Sequence, residues 1–298
     1  LRAIIGKTQA MPRSGDIDIN RQGLTHEQRA ELGELEGRRK QTLSPQEQQR
    51  LAELQAMSKA RSGAISILRG ISIRMPLMLY GAEMANEDTE LTLENFTNLV
   101  DDSSWEEFMP RGVTKEVFRR FQRYYDPDVF RGAGQRIRAM VRAADQCSIE
   151  ERIERIAALF VTFRNPDKET VLTPWRVVNM HLGESLGGWS FYDADYRRQL
   201  DAPRHVTRVG ITEEVFSPQS RILEINSKSG LYPLYATYSI YRARRAEAEN
   251  KYGEVPRALA LQLWDTTLEQ NILALCMTPM ARSITRRTLA GFRDTTVH

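Results

Sequence analysis

Apolar and polar positions follow two different patterns along this chain. From residue 24 to 163 the apolar residues recur mostly every three or four positions, which is typical of amphipathic helices. Near the carboxyl end, short apolar runs at Ile222-Leu223 and Ile272–Cys276 are each followed by a helical pattern. The order strand, helix, strand, helix predicts a βαβ arrangement with a parallel sheet and a right-handed crossover.

Residues 24–62 contain the same pattern twice, nineteen residues apart. Thr25 and Ser44 are predicted N-caps, Pro45 suits a first helical position, and Ser44 with Glu47 makes a capping box. We expect a charged helical hairpin with a narrow leucine stripe. It is either a solvated arm or a surface for a partner helix.

Residues 63–82 predict a short helix and then a strand over Ile71–Gly81, with Pro76 at a sheet edge or a bulge. Residues 88–163 predict consecutive helices, whose N-caps are Thr92, Thr114, Asp126 and Ser148. Thr173 is a predicted N-cap with Pro174 at the first helical position. Residues 190–220 are predicted to be a polar connection.

The stretch Arg221–Tyr235 is central to the predicted function. Glu224 ends a short strand, a polar turn with Asn226, Ser227 and Gly230 follows, and an apolar helix comes next. An acid at the carboxyl end of a strand, followed by a turn with glycine, is typical of nucleotide pockets in α/β sheets. The turn has one glycine where such fingerprints have two or three, so a strand-turn-helix without a ligand remains the alternative.

Charge and composition narrow the function classes. The net charge of +3 permits contact with nucleic acid without demanding it, and no apolar run approaches the roughly 20 residues that span a bilayer. Two cysteines and four scattered histidines give no metal-ligand spacing and favour a reduced, cytoplasmic setting. Gly6-Lys7-Thr8 matches the end of a phosphate-binding loop, but Leu1 stands where the first glycine belongs and no amphipathic helix follows.

Arginines are dense between residues 119 and 142, and acids are sparse there. Such a run is either a solvated helix face or a surface that contacts phosphates. The predicted DNA-binding residues are Arg119, Arg120, Arg123, Arg136 and Arg138.

The order of these pieces resembles the amino-terminal half of gamma-group N-6 adenine DNA methyltransferases, found in type I and helicase-fused or type IIG restriction-modification proteins. The resemblance covers about residues 165–298. It rests on Thr173-Pro174 opening a short helix, on Ile222-Leu223-Glu224 with Ser229-Gly230, and on Thr278-Pro279 opening a helix after the second apolar run. It implies S-adenosylmethionine as the cofactor. The implied cofactor-binding residues are Thr173, Pro174, Trp175, Glu224, Asn226, Ser227, Gly230, Cys276 and Thr278.

The chain departs from that family at three points. Lys228 stands where the family has its first glycine, and Cys276 stands where an acid binds the ribose hydroxyls. The catalytic tetrapeptide, Asn or Asp followed by Pro-Pro and Tyr or Phe, does not occur. Asn165-Pro166-Asp167 lacks the second proline and the aromatic residue, and it precedes the Thr-Pro element. No catalytic residue is therefore predicted in this chain.

The expected fold class is mixed, with a mainly α-helical amino-terminal and spacer region followed by the start of an α/β Rossmann-like S-adenosylmethionine-dependent methyltransferase domain. The resemblance implies the end of a helicase-like region at 1–87, a helical spacer at 88–164 and a partial methyltransferase domain at 165–298. The expected setting is a cytoplasmic phage-defence protein that has no membrane partner. It acts on double-stranded DNA with the remaining helicase and methyltransferase parts of its parent. The alternatives are a non-catalytic DNA-binding or coupling module with a degenerate methyltransferase-like fold, and a purely structural helical spacer.

Overall fold

The computed structural model describes residues 24–38, 42–84, 89–163 and 172–298 of the chain. The sequence predictions at Gly6-Lys7-Thr8 and at Asn165-Pro166-Asp167 lie outside these ranges. The described part is mostly helical and carries two small sheets.

The helices are α1 (His26–Gly37), α2 (Pro45–Gly81), α3 (Leu93–Leu99), α4 (Asp102–Phe108), α5 (Lys115–Phe121), α6 (Pro127–Ala144), α7 (Ile149–Thr162), α8 (Trp175–Ser185), α9 (Thr212–Val215), α10 (Leu231–Tyr252), α11 (Arg257–Asn271) and α12 (Pro279–Ala290), with a 3-10 turn at Gln122–Tyr124. The strands are β1 (Gly188–Tyr192), β2 (Gln199–Val206), β3 (Ile222–Ile225) and β4 (Ile272–Leu275).

The predicted helical hairpin is confirmed in α1 and the first half of α2. Both helices begin with a complete capping box, at Thr25 and at Ser44, in which the side chain and backbone of each cap bond to the third helical residue. The leucines between the two helices form a cluster of their own, separate from the main core; they are Leu24, Leu35, Leu43, Leu51 and Leu54. The amino-terminal half of α2 thus belongs to the hairpin and its carboxyl-terminal half belongs to the body of the protein.

The predicted strand at Ile71–Gly81 is wrong, because α2 continues through it with Pro76 inside the helix. Ile71, Met75 and Met78 are buried at helical spacing, and every residue from 74 to 81 is buried. A helix that is covered on all sides has no polar face, so its apolar run looks like that of a buried strand.

The N-caps predicted at Thr92, Thr114, Asp126 and Ser148 are confirmed, each accepting a hydrogen bond from the first turn of its helix. The cap predicted at Thr173 is wrong by one residue. Pro174 itself has an extended ψ of 146° and occupies the cap position, so α8 begins at Trp175 without a side-chain cap.

The predicted polar connection over residues 190–220 is also wrong, because it contains most of an antiparallel hairpin of β1 and β2. The hairpin could not be predicted from apolar and polar alternation, because β2 is exposed or half-buried along its whole length and carries few apolar residues. The aromatic residues of β1, Trp189, Phe191 and Tyr192, were the available signal.

Strands β3 and β4 pair in parallel, as the sequence predicts, with Ile222 opposite Ile272 and Ile225 opposite Leu275. Helices α10 and α11 form the connection between them. The sheet has two strands within the described ranges, so the expected α/β character is seen only as this small unit. One face lies against α10 and α11, while the other leaves Leu223, Ile225 and the facing leucines of β4 about half exposed or more.

A single main core takes side chains from the end of α2 through to α12. At its centre lies a buried ion pair, in which the Arg152 guanidinium donates to Asp145 over 2.9 Å. The other two nitrogens of Arg152 donate over 3.0 Å to the backbone oxygens of Arg287 and Thr288 at the end of α12. The second oxygen of Asp145 accepts from the Phe292 backbone N–H over 2.9 Å. Every polar group of this network therefore has a partner.

Arg287 extends the same network to α2. Its guanidinium donates to the backbone oxygens of Tyr80 and Ala82 at the end of that helix. The carboxyl-terminal ends of α2 and α12 are thus each held by a buried arginine. No helix in the described ranges is long and apolar enough to cross a membrane.

Replacing Asp145 by alanine leaves the Arg152 charge buried and unpaired. We expect the free energy of unfolding, measured by urea titration, to fall by about 3–5 kcal/mol. The matched control is Asp128→Ala, which removes an exposed ion pair with Arg131 and is expected to change the free energy of unfolding far less than Asp145→Ala does. Equal losses in the two variants would show that the buried network does not stabilise the fold.

Candidate ligand site at the carboxyl ends of the parallel strands

The turn after β3 depends on two residues in the left-handed region. Asn226 has φ 65° and Gly230 has φ 72°, conformations that asparagine and glycine adopt most readily. Between them the Ser227 backbone N–H donates to the Leu275 oxygen over 2.9 Å, which extends the parallel pairing into the turn. The predicted strand-turn-helix is therefore present in the structure.

Gly230 provides a close backbone approach, and its neighbour there is α12. A Cβ at position 230 would lie 3.1 Å from the Thr285 Cα and 3.1 Å from the Thr288 Cβ, so a side chain there would be tightly packed and would have to adopt a strained positive φ. The Thr288 hydroxyl donates to the Ser229 oxygen over 2.7 Å, and the hydroxyls of Ser227 and Thr285 are 3.0 Å apart. The turn is thus fastened to α12 along its inner side.

Glu224 lies half-buried at the end of β3. Burial raises the pKa of its carboxyl group to about 7, and a hydrogen bond with Ser227 opposes that shift. Its Oε2 is buried and has no hydrogen-bond partner among the described residues. A half-buried carboxylate that lacks a donor for one oxygen can accept a hydrogen bond from a ligand at little cost, because it gives up no existing bond.

Cys276 follows β4 and lies in the field of two acids. Burial raises the pKa of its thiol, a hydrogen bond to Thr285 lowers it, and the charges of Glu224 and Glu107 raise it further. The thiol therefore stays protonated near neutral pH. A protonated thiol is a weak hydrogen-bond partner, so it does not replace the acid that the resemblance places here.

A cleft of about 880 Å³ opens beside the turn, within the 300–1,000 Å³ range of small-molecule sites. We call it the Glu107 cleft. Lys228 reaches it from the turn after β3, and the remaining wall comes from α4, α5 and the segment between them, with Arg74 from α2. Its lining combines charged side chains of both signs with apolar surface from Trp105, Met109 and Val113.

Glu107 joins the two turns that follow the parallel strands. Its Oε1 lies 3.1 Å from the Lys228 ammonium, and its Oε2 accepts from the Thr278 hydroxyl over 2.6 Å. Thr278 is the N-cap of α12, as predicted, and accepts from the Ala281 backbone N–H. Glu107 is not among the residues predicted from the sequence, because nothing in its local pattern indicates that its helix, more than a hundred residues upstream, lies against these turns.

The structure places the Thr173–Trp175 segment elsewhere. The Trp175 ring is buried, with centroids 5.5 Å from Phe191 and 6.2 Å from Tyr235, and it does not line the Glu107 cleft. Thr173 is half-buried and Pro174 is exposed. A role for these three residues in closing a cofactor pocket stays a prediction.

Four of the five predicted DNA-binding arginines are exposed; they are Arg119, Arg120, Arg123 and Arg136. Arg138 is half-buried, donates to the Ala82 oxygen over 2.7 Å, and has a pKa lowered by burial and by the charge of Arg142. Arg138 therefore holds the end of α2 as Arg287 does. Within the described ranges, no group of three or more His, Cys, Asp or Glu side chains is arranged to hold a metal ion.

The raised pKa of Glu224 predicts a pH dependence of stability. The unfolded carboxyl group ionises near pH 4.5 and the folded one near pH 7, so the folded state binds the extra proton between these values. Stability is thus lost as the pH rises through this window, by up to about 3 kcal/mol. Glu224→Gln, which mimics the protonated form, should therefore become more stable relative to the wild type between pH 4 and 8. A constant difference between the two urea unfolding curves across this range would contradict the assignment.

Comparison of the chain with models of protein families, with curated proteins and with solved structures finds no match.

Proposed function

We propose that this chain is the cofactor-binding part of a DNA adenine methyltransferase in a restriction-modification or defence protein, and that it binds S-adenosylmethionine. The observation that carries the proposal is the meeting of the carboxyl ends of β3 and β4 beside the Glu107 cleft. In open α/β sheets, ligands bind outside the carboxyl ends of parallel strands.

The charges of the site suit this cofactor. S-adenosylmethionine carries an ammonium, a sulfonium and two ribose hydroxyls, which all favour carboxylate partners. Glu224 has a buried oxygen without a partner, and Glu107 lines the cleft together with Lys228, whereas Glu224 is not part of the cleft wall. Lys228 supplies a cation that can pair with the carboxylate of the methionine moiety.

The proposed reaction transfers the methyl group to N-6 of an adenine that has been flipped out of the duplex. This chain would hold the methyl donor. The groups that grip the flipped base belong to the Pro-Pro tetrapeptide, which does not occur in these 298 residues. We therefore assign no transfer step to any residue of this chain.

Isothermal titration calorimetry with S-adenosylmethionine tests the proposal. We expect the wild type to bind and Glu224→Gln to bind about 10–100-fold more weakly at pH 8, because one charge-assisted hydrogen bond is lost. Wild-type affinity should rise with pH through about 7, where Glu224 ionises. Glu254→Gln, an exposed acid between α10 and α11, is the control and should match the wild type. No measurable binding by the wild type, or equal affinity of the Glu224 variant, would overturn the proposal.

A non-catalytic DNA-binding module is the second candidate, and specific observations favour it. The glycine turn is packed against α12, and Lys228 is engaged by Glu107. Cys276 replaces the expected acid, and four arginines are exposed on or next to α5 and α6. Such a module keeps the methyltransferase-like unit as a scaffold and contacts phosphates through the arginines.

Replacing Arg119, Arg120, Arg123 and Arg136 together by glutamine tests the second candidate. If all four arginines contact phosphates, the negative slope of log K for DNA binding against log salt concentration should become shallower by up to about 4. Each lost phosphate contact accounts for roughly 0.9 of this change. The control replaces Arg29, Arg38, Arg50 and Arg155 by glutamine, which changes the net charge equally but at other sites. A DNA affinity and salt slope unchanged from the wild type in the first variant would exclude this surface.

A further inference from the structure

We propose that Glu107, reaching across from α4, is the carboxylate that binds the ribose hydroxyls of a nucleoside ligand in the Glu107 cleft. This inference rests on the proposed function and names a specificity-determining residue for it. It places the ribose-binding carboxylate in the helical region, whereas the resemblance places that group at the end of β4 in the α/β unit.

The end of β4 lacks an anionic acceptor of its own. Cys276 occupies that position, and burial together with nearby negative charge disfavours its thiolate. A ribose needs an acceptor that takes hydrogen bonds from two neighbouring hydroxyls, and a single ionised carboxylate does this with its two oxygens. Any acid that performs this task must therefore come from another element.

Glu107 is the acid whose contacts bring it to both strand ends. It bonds to Lys228 in the turn after β3 and to Thr278 in the turn after β4. Its side chain is 12% exposed, so most of it is shielded from water while it still faces the cleft. A carboxylate oxygen can accept more than one hydrogen bond, so a ribose hydroxyl can be added to the bonds that Glu107 already makes with Lys228 and Thr278.

The position of Glu107 is fixed by its helix. The Ser104 hydroxyl, on the same short helix, accepts from the Met280 backbone N–H of α12 over 3.0 Å. The Trp105 indole donates to the Val113 oxygen over 2.7 Å, which closes the loop that forms the far wall of the cleft. The acid is thus held by packing and hydrogen bonds before a ligand arrives, as a specific binding group requires.

The cleft also offers a surface for the base. Trp105, Met109, Pro110 and Val113 line one part of it and the charged residues line another. A nucleoside has the same division, with an apolar planar base and a polar sugar. The observed volume of about 880 Å³ is sufficient for such a ligand.

The experiment compares two probes, 5′-methylthioadenosine and its 2′-deoxy analogue, by calorimetry on the whole 298-residue protein. The wild type should bind the ribose form about 10–100-fold more tightly than the deoxy form, since one hydrogen bond to a charged group is lost. In Glu107→Gln this ratio should fall to near one. Glu106→Gln, which changes the neighbouring acid that lines the same cleft, should keep the wild-type ratio.

A purely structural role for Glu107 is separated by Lys228→Met. This variant breaks the same ion pair but keeps the carboxylate, so it should retain the ribose preference whatever its overall affinity. Circular dichroism melts establish whether each variant is folded. If Glu107→Gln does not fold, Glu107→Asp is tested in its place. The shorter acid should lower the ratio.

The outcomes separate the two proposals. An unchanged ratio in Glu107→Gln, with S-adenosylmethionine still bound by the wild type, overturns this inference and leaves the proposed function standing. Loss of the ratio in Lys228→Met also overturns it, because the ion pair alone would then explain the effect. Failure of the wild type to bind S-adenosylmethionine or either nucleoside overturns both.

Discussion

The buried ion pair of Arg152 and Asp145 fixes the helix on which the candidate site depends. Arg152 is almost inaccessible to water, and its three nitrogens are divided between a carboxylate and two backbone oxygens at the end of α12. A charge in such a place is tolerated only when its geometry and hydrogen bonds are complete, and removal of one partner is costly. Because Arg287 in the same turn also holds the end of α2, the two helices have fixed positions relative to each other.

The position of α12 in turn determines the site. Its middle lies within 3.1 Å of where a Cβ at position 230 would stand, and its N-cap, Thr278, donates to Glu107. The helix is thus tied to α7 at one end and to α4 at the other, both from the upstream helical region. The candidate groups at the strand ends are held in place by contacts with that region, as a preorganised site would require.

The parts of the fold that depend on local chemistry were predictable from the sequence. Capping residues such as Ser44, Thr92 and Thr278 satisfy the first N–H groups of their own helices, so their signal lies within a few residues. The two strands of the parallel sheet were also correctly placed from their apolar runs and turns. The burial of residues 74–81 of α2 on all sides removed the periodicity that would have identified this part as helical at Pro76.

The network and the site were not predictable, because they depend on tertiary contacts. Arg152 and Arg155 are three residues apart on one helix and looked alike in the basic run. The structure buries Arg152 and leaves Arg155 on the surface in an ion pair with Glu151. In the same way, nothing in the sequence near Glu107 distinguishes it from Glu106, yet only Glu107 bonds to both strand-end turns among the described contacts. Glu224 could be predicted as a candidate site residue because the strand and its turn place it locally.

Hydrogen–deuterium exchange of the protein with and without S-adenosylmethionine tests the central claim most directly, which is that a ligand binds where the two parallel strands end. The account predicts slower exchange in residues 104–115 and 226–230, which contribute to the cleft wall, the latter through Lys228, and in 276–279, where Thr278 bonds to Glu107. Exchange in the hairpin of α1 and α2 should not change. Unchanged exchange at the strand ends under saturating ligand, or protection confined to other segments, would contradict the account.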